Sequence, residues 1–368
     1  MSVLNYIGKD TYGGHARYAH ILNDVILETG RESCVHSRLE DITTLVNAKN
    51  EGNNIVLIFH SMEGVSRDTI KSFRHLGIKR MIAWAHNPWA HILYKDFDIV
   101  VPVSRYVRNI LLMTKELRIE QPAYIAASKL GLPRGGQDEV PAVYRASEYM
   151  WDKRKFRDLI CSMIEPVSMK AALVFNKAPS FDAMVKQPAL HLGIVSRLAR
   201  LKNFPRLAGL LFASIKESTP PNFYLHVIGA GPWREVRSFK ASIPQSVRRV
   251  TYFWGWQAET KNLMQKLDAL LLGYPEQEAL GLNALEATLA QIPIIAIRGG
   301  PFEETVEHGV NGWLISEQEL PPAFLDALHH LNSIRSGCAP PLSFSMSTDY
   351  QARFSDQNFT RLVCRLIN

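Results

Sequence analysis

The sequence predicts an α/β protein of two domains, each built on a parallel sheet covered by helices. Three observations carry that expectation. Short β-rich runs alternate with helical stretches along most of the chain, as strand–helix–strand units do and hairpins do not. The alternation comes in two series, separated by a stretch at about 120–185 that follows neither pattern. At 368 residues the chain also exceeds what one hydrophobic core ordinarily organises and suits two domains of about 150–200 residues each.

Taken in order, residues 3–7 read as a first strand. The segment YGGHARYAHIL (12–22) then reads as a Gly-rich turn opening a helix over 18–27. IVLIF (55–59), MIAW (81–84) and IVVPV (99–103) are apolar runs with helical stretches between them, such as 69–75. Strands covered on both faces have this continuous character. The second series supplies strands at 190–195, 224–228, 250–253, 269–272 and 294–297, each followed by a loop and a helical stretch. Residues 354–368 read as a last helix. The expected division is an N-terminal domain over 1–180 with helix 354–368 packing back on it, and a C-terminal domain over 181–353.

Hydrophobic residues make up 46% and charged residues 21%, close to the globular average, so a full core can form and disorder is not expected. Cys34, Cys161, Cys338 and Cys364 are scattered with no C-x-x-C pair. That argues against a zinc site or a disulfide framework and fits a reducing cytoplasm. The start of the chain lacks the basic and apolar regions of a secretory leader, and no apolar run approaches the ~20 residues of a membrane span. The expected location is cytoplasmic, with peripheral contact at the inner face of a membrane as an extension of it. The net charge of +7 is spread over both halves and suits an anionic ligand such as a nucleoside diphosphate, or an anionic membrane. No zinc-finger pattern, aromatic ribonucleoprotein motif or basic arm is present, so nucleic acid is not an expected partner.

The densest chemistry is EALGLNALE, residues 278–286, after the strand at 269–272. Glu278 and Glu286 lie eight positions apart with Gly281 between them, which reads as a loop turning into a helix. Backbone N–H groups at such a helix start favour an anion, and carboxylates accept hydrogen bonds from sugar and ribose hydroxyls. Alone the spacing is weak, since one surface and one ordinary helical glutamate would look the same.

The surroundings change that. PEQEALGLNALEATLAQIPIIAIRGGPFEETVEHGVNGWLI (275–315) carries E-x7-E, then P-x-x-A, a Gly pair and E-x4-G-x-x-G. Upstream, in order, lie SRLARLKN (196–203), HVIGAGP (226–232) and VTYFWGW (250–256). In this combination the chain resembles the retaining GT-B glycosyltransferases of family 4, also called group 1. The resemblance implies the GT-B fold, two Rossmann-like domains facing across a cleft. It also implies transfer of a hexosyl unit from a UDP- or GDP-linked sugar to an acceptor hydroxyl, with retention at the anomeric carbon.

Roles follow from the resemblance residue by residue. Arg197 and Lys202 would clasp the donor diphosphate and offset the charge of the leaving phosphate. Glu286 would accept from the ribose hydroxyls, while Glu278 and the amides of Ala279, Gly281, Leu280 and Leu282 would hold the donor sugar and phosphates. Gly229 and Gly255 would end strands close to the nucleotide, and Gly13 and Gly14 would bring backbone amides to phosphate and acceptor. His86, in AHNPW, would touch the donor sugar near the reacting carbon; from sequence alone a loop-packing histidine looks the same. His60 at the preceding strand end reads as structural, and Ser104 as a helix cap. Glu304 fits both the E-x4-G position and an ordinary helix-start carboxylate. Two departures stand out: Ala279–Leu280 replaces the family's Gly-Phe, and Ser196 replaces a Gly before R-L.

The resemblance implies no bound metal and no cofactor, the arginine and lysine taking the metal's role. Expected partners are the nucleotide-sugar donor and a saccharide or lipid-linked acceptor, in cell-surface polysaccharide, lipopolysaccharide or glycolipid synthesis. RYVRNILLMTKEL (105–117) and WDKRKFR (151–157) read either as surfaces for an anionic membrane or as ordinary helices with solvated charges. Residues 120–165 depart most from the family, and its asparagine turn before the second domain is displaced to Phe175–Asn176. Two other functions stay open: a GT-B sugar-nucleotide epimerase, and a catalytically silent sugar-nucleotide-binding subunit.

Overall fold

A computed structural model describes residues 1–8, 14–49, 54–78, 80–114, 116–130, 180–215, 221–257 and 260–368. The chain divides into two compact units, one formed by Met1–Gly131 with Ser347–Asn368 and the other by Leu132–Met346.

The first unit holds a parallel sheet of β1 (Ser2–Tyr6), β2 (Glu32–His36), β3 (Ile55–Phe59), β4 (Arg80–Ala85) and β5 (Ile99–Pro102), in the order β2-β1-β3-β4-β5. β1 and β3 are buried along their whole length, as strands covered by helices on both faces must be. The helices are α1 (Gly14–Glu28), α2 (Leu39–Lys49), α3 (Arg67–His75) and α4 (Arg105–Leu112). Ser66 and Thr69 form a capping box at the start of α3. Ser104 accepts a hydrogen bond from the Val107 amide and caps α4, the role expected of it. Strand β2 was not predicted. Its sequence, ESCVH, lies on the sheet edge and is half-buried or exposed throughout, so no apolar run marks it.

The second unit holds β6 (Leu190–Val195), β7 (Phe223–Ile228), β8 (Thr251–Gly255), β9 (Ala269–Leu271), β10 (Ile294–Ile297) and β11 (Gly312–Ile315). Every pairing is parallel, and the spatial order is β11-β10-β9-β6-β7-β8. Numbered within the unit this is 3-2-1-4-5-6, the doubly wound dinucleotide-binding order. Alternate residues feed two cores. Leu192, Ile194, Leu271, Ile295 and Ile297 face one, and Val195, Leu270, Ile294 and Ala296 the other, the period of two that a pleated strand imposes. Strand β11 also went unpredicted, because GWLI had been read only as part of a glycine-spaced motif. The helices include α5 (Phe204–Leu211), α6 (Trp233–Ser242), α7 (Thr260–Met264), α8 (Leu282–Leu289), α9 (Phe302–Thr305) and α10 (Pro322–Arg335).

Inside one face of this sheet runs a buried polar chain. Trp254 Nε1 donates to His226 Nδ1 (3.1 Å), His226 Nε2 meets His191 Nδ1 (3.0 Å), and His191 Nε2 meets the Gln187 carbonyl (3.2 Å). Because an indole N–H can only donate, both imidazoles carry their proton on Nε2 and are neutral. Burial pushes His226 down to about 3, with His191 beside it adding to the effect.

The last two helices, α11 (Thr348–Arg353) and α12 (Asp356–Ile367), belong to the first unit. On α12, Phe359, Leu362, Val363, Leu366 and Ile367 are buried, one apolar stripe at helical spacing. Phe359 meets the Tyr18 ring edge-on at 5.8 Å, and the Ala127 amide donates to the Phe354 carbonyl at 2.9 Å. The return begins at Ser347 rather than at 354, where the sequence had placed it.

Candidate functional site

In a doubly wound sheet, ligands bind beyond the carboxyl ends of the strands, where the strand order reverses. In the second unit that point lies between β6 and β9. The loops that leave these two strands carry Arg197 and Lys202 on one side and Glu278 on the other.

The loops are joined through backbone. After β6 the chain makes a turn at Arg200–Lys202 and enters α5 through Asn203, which is left-handed (φ 44°). The Tyr274 amide, just after β9, donates to the Lys202 carbonyl at 3.0 Å. Lys202 Nζ and a Glu278 carboxylate oxygen form an ion pair with side chains 19% and 15% exposed. Two residues assigned separately, one to the diphosphate and one to the sugar, are therefore direct partners. A pair so little exposed is screened weakly by water and must separate or be shared when a charged ligand enters. Arg197 is exposed at the end of β6.

Gly281 precedes α8 with φ 77°, a left-handed conformation that a side chain rarely adopts, and a Cβ there would lie 3.0 Å from the Phe302 ring. This turn places Glu278, Ala279 and Leu280 before the helix and Leu282 at its first position, with Glu286 half-buried about one turn in. Asn283 Nδ2 reaches the Val195 carbonyl at 3.4 Å and ties α8 to the end of β6. Glu304 lies half-buried on α9.

Gly229 follows β7 and Gly255 is the last residue of β8, but the demand for glycine at 229 comes from the protein itself. A Cβ on Gly229 would stand 2.0 Å from the Ser196 carbonyl oxygen, and one on Gly231 1.9 Å from that of Leu198. The Ser196 and Leu198 amides donate to the Ile228 and Ala230 carbonyls at 3.0 and 2.8 Å. The G-A-G turn is thus pressed against S-R-L and fixes the loop that carries Arg197. Gly231 was missed; the G-x-G spacing was its signal.

In the first sheet the order reverses between β1 and β3. Gly14 is exposed at the first position of α1, while Gly13 lies outside the described residues. His60 follows β3 and His86 follows β4. His60 Nδ1 and His86 Nε2 are 2.9 Å apart, and His60 Nε2 is 3.3 Å from Asn5 Oδ1. Tyr18 packs its ring edge-on against His86 at 5.1 Å and hydrogen-bonds through its hydroxyl to the Ala123 carbonyl. Burial lowers both imidazoles, His60 to about 3 and His86 well below the ordinary range. His60, read from sequence as structural, is thus in direct contact with the candidate His86. Asn5 was missed: it sits on a different strand from either histidine, and nothing local in the sequence marks it.

The α4 segment, one of the two membrane-facing expectations, is anchored at its start. Arg105 bonds the Tyr124 hydroxyl (3.2 Å) and Asp349 (3.1 Å). Val107 and Leu111 are buried, while Leu112 and Met113 are exposed. Residues 151–157 and the Phe175–Asn176 turn lie outside the described residues. Among the described residues no helix is long and apolar enough to cross a membrane.

These two Rossmann-like sheets, with a charged pair at the switch point of the second, define the fold as GT-B. A family model described as glycosyl transferases group 1 matches residues 189–333, the segment that holds Arg197, Lys202, Glu278 and Glu286. Three solved structures are similar over nearly all of both chains. HepE of Anabaena in complex with UDP-glucose has a TM-score of 0.62 at 13% identity, covering 99% of this chain and 98% of its own. A glycosyltransferase from Rickettsia africae has a TM-score of 0.61 at 14% identity, with 100% and 97% covered. Sucrose-phosphate synthase from Thermosynechococcus elongatus has a TM-score of 0.60 at 14% identity, with 100% and 98% covered. At such identities it is the fold that is shared. No curated protein sequence matches the chain.

Proposed function

We propose that the protein is a retaining, metal-independent glycosyltransferase that moves a hexosyl unit from a nucleoside diphosphate sugar to an acceptor hydroxyl. The observation that carries this is the Lys202–Glu278 ion pair at the switch point of a 3-2-1-4-5-6 sheet, with Arg197 on the same loop as Lys202, inside the segment matched by the group 1 family model. Because HepE is described in complex with UDP-glucose, that sugar nucleotide is the first donor to test.

In the proposed reaction the bond between the anomeric carbon and the leaving phosphate oxygen breaks. The acceptor oxygen bonds to the same face of that carbon, and its proton passes to the departing phosphate. Arg197 and Lys202 offset the charge that grows on the diphosphate, which a fixed cation does without reorganisation cost. Lys202 is released for this by exchanging Glu278 for phosphate, and Glu278 is released at the same moment to accept from sugar hydroxyls. Glu286 holds the ribose, and the amides before and at the start of α8 hold phosphate. From the first unit His86 is assigned to the reacting sugar, on the family resemblance. The acceptor is a saccharide or lipid-linked saccharide of cell-surface polysaccharide, lipopolysaccharide or glycolipid synthesis, met in the cytoplasm or at the inner membrane face.

The test is to incubate the protein with UDP- and GDP-sugars, with and without an acceptor extract, and follow nucleoside diphosphate release. Release stimulated by acceptor is the expected result. Release without transfer to any acceptor, accompanied by a changed sugar, would make the protein an epimerase. Binding without turnover would make it a silent subunit.

A further inference from the structure

We infer that Asn5 and His60 are positioning residues that hold the His86 ring with its proton on Nε2 and its lone pair on Nδ1. The inference rests on the proposed role of His86 at the reacting sugar.

The chain of hydrogen bonds ends on the edge strand β2. Asn5 Nδ2 lies 3.3 Å from the Cys34 carbonyl and 3.2 Å from Ser33 Oγ. A carbonyl can only accept, so the amide is oriented with its nitrogen toward β2 and its oxygen toward His60. Asn5 Oδ1 then requires a donor, and His60 Nε2 at 3.3 Å supplies the N–H. A neutral His60 has no second proton, so its Nδ1 accepts, and His86 Nε2 at 2.9 Å must donate to it. The only ring nitrogen of His86 left with a lone pair is Nδ1. One direction of donation thus runs from His86 through His60 and Asn5 to the carbonyl of Cys34, across β4, β3, β1 and β2.

The device works only while His60 is neutral. A protonated His60 donates at both nitrogens, so His86 Nε2 would have to accept, its proton would move to Nδ1, and the ring would present a donor where it had offered an acceptor. The surroundings guard against this. His60 is 4% exposed and stacks on Trp84 at 5.6 Å. Tyr18 on α1 packs against it, and charge on His15 or His20, also on α1, opposes its protonation. Its polar neighbours along the sheet are Asn5 and His86.

Asn5→Asp tests the chain at nearly constant side-chain size, with loss of the donor to the Cys34 carbonyl and Ser33 Oγ. It puts a carboxylate on His60 Nε2, and an opposite charge at that distance favours the imidazolium. With 15N-histidine labelling, two-bond 1H–15N correlations of the wild type are expected to show His60 and His86 neutral with the proton on Nε2 from pH 5.5 to 8. In Asn5→Asp, His60 is expected to titrate within that window and His86 to shift toward the Nδ1–H form. In parallel, the acid limb of kcat for UDP release from the active UDP-sugar should move up by about one pH unit, with KM for the donor nearly unchanged. A wild-type His86 protonated on Nδ1 overturns the inference, as does an Asn5→Asp enzyme with the wild-type pH profile. Should Asn5→Asp not fold, the wild-type spectrum decides alone. A protein inactive on every UDP- and GDP-sugar would sink the enzymatic reading, while the spectra would still decide the tautomer.

Discussion

Lys202 and Glu278 cancel each other's charge at the mouth of the second sheet, and this makes their separate contributions measurable. Replacing Lys202 or Arg197 with Ala removes a charge aimed at the leaving group, a loss of roughly 10²–10³ in rate. Lys202→Ala also leaves Glu278 without its partner, so it should lower the thermal midpoint more than Arg197→Ala does. Wild-type transfer rates in both variants would dismiss the clamp. The two glutamates should separate kinetically. Glu286→Gln removes contact with the ribose, which does not change during reaction, and should raise donor KM more than it lowers kcat. Glu278→Gln should lower kcat more strongly and, by freeing Lys202 from its partner, leave binding of the free nucleoside diphosphate no weaker than in the wild type. The opposite pattern would mean that the two carboxylates have exchanged roles. Both glutamates and both cations could be proposed from the sequence because each sits in a short motif with its own spacing. Asn5 and His60 were not, because their partnership exists only after β1, β3 and β4 lie side by side.

The central strands were legible because burial on both faces demands unbroken apolar runs, as in IVLIF and LHLGIV. The edge strands β2 and β11 lack that demand or hide it within a motif. The buried histidines of β6 and β7 carry a pH signature. His226 is held near 3 in the folded state, against about 6.5 for an unfolded chain. The unfolded state therefore binds the extra proton between those values, and folding stability falls as pH drops from about 6.5 toward 3. Above 6.5 the contribution is fully present. Denaturant melts from pH 7.5 to 4.5 should show a loss of up to about 1.4 kcal/mol per pH unit from this group. His226→Gln should reduce the slope by one proton's worth, and an unchanged slope would show that the imidazole is charged in the fold.

At the scale of the whole molecule, the α/β architecture was legible from alternation alone, while the second unit's strand order was not, since spatial order leaves no mark on a linear pattern. The proposed charge balance makes its own prediction here. With side chains and helix starts offsetting the leaving group, transfer should persist in excess EDTA. Activity lost in chelator and restored by manganese or magnesium would overturn that chemistry.

The closing of the first unit by α11 and α12 also has a consequence for how the protein is born. The sheet at Ser2–Pro102 leaves the ribosome before the second unit is made, yet the helix that covers Tyr18 and the Phe354 carbonyl that accepts from Ala127 are translated after it. Between them the whole of Leu132–Met346 must be synthesised, on the order of tens of seconds at ordinary elongation rates. Through that interval the face of α1 awaiting Phe359 stays uncovered, and the nascent amino-terminal half exposes apolar surface. The second unit, continuous in sequence, is free to mature first. A stalled chain ending at residue 346 should accordingly yield a protease-resistant second unit and a protease-sensitive first one. Supplying residues 347–368 as a separate peptide should protect the first.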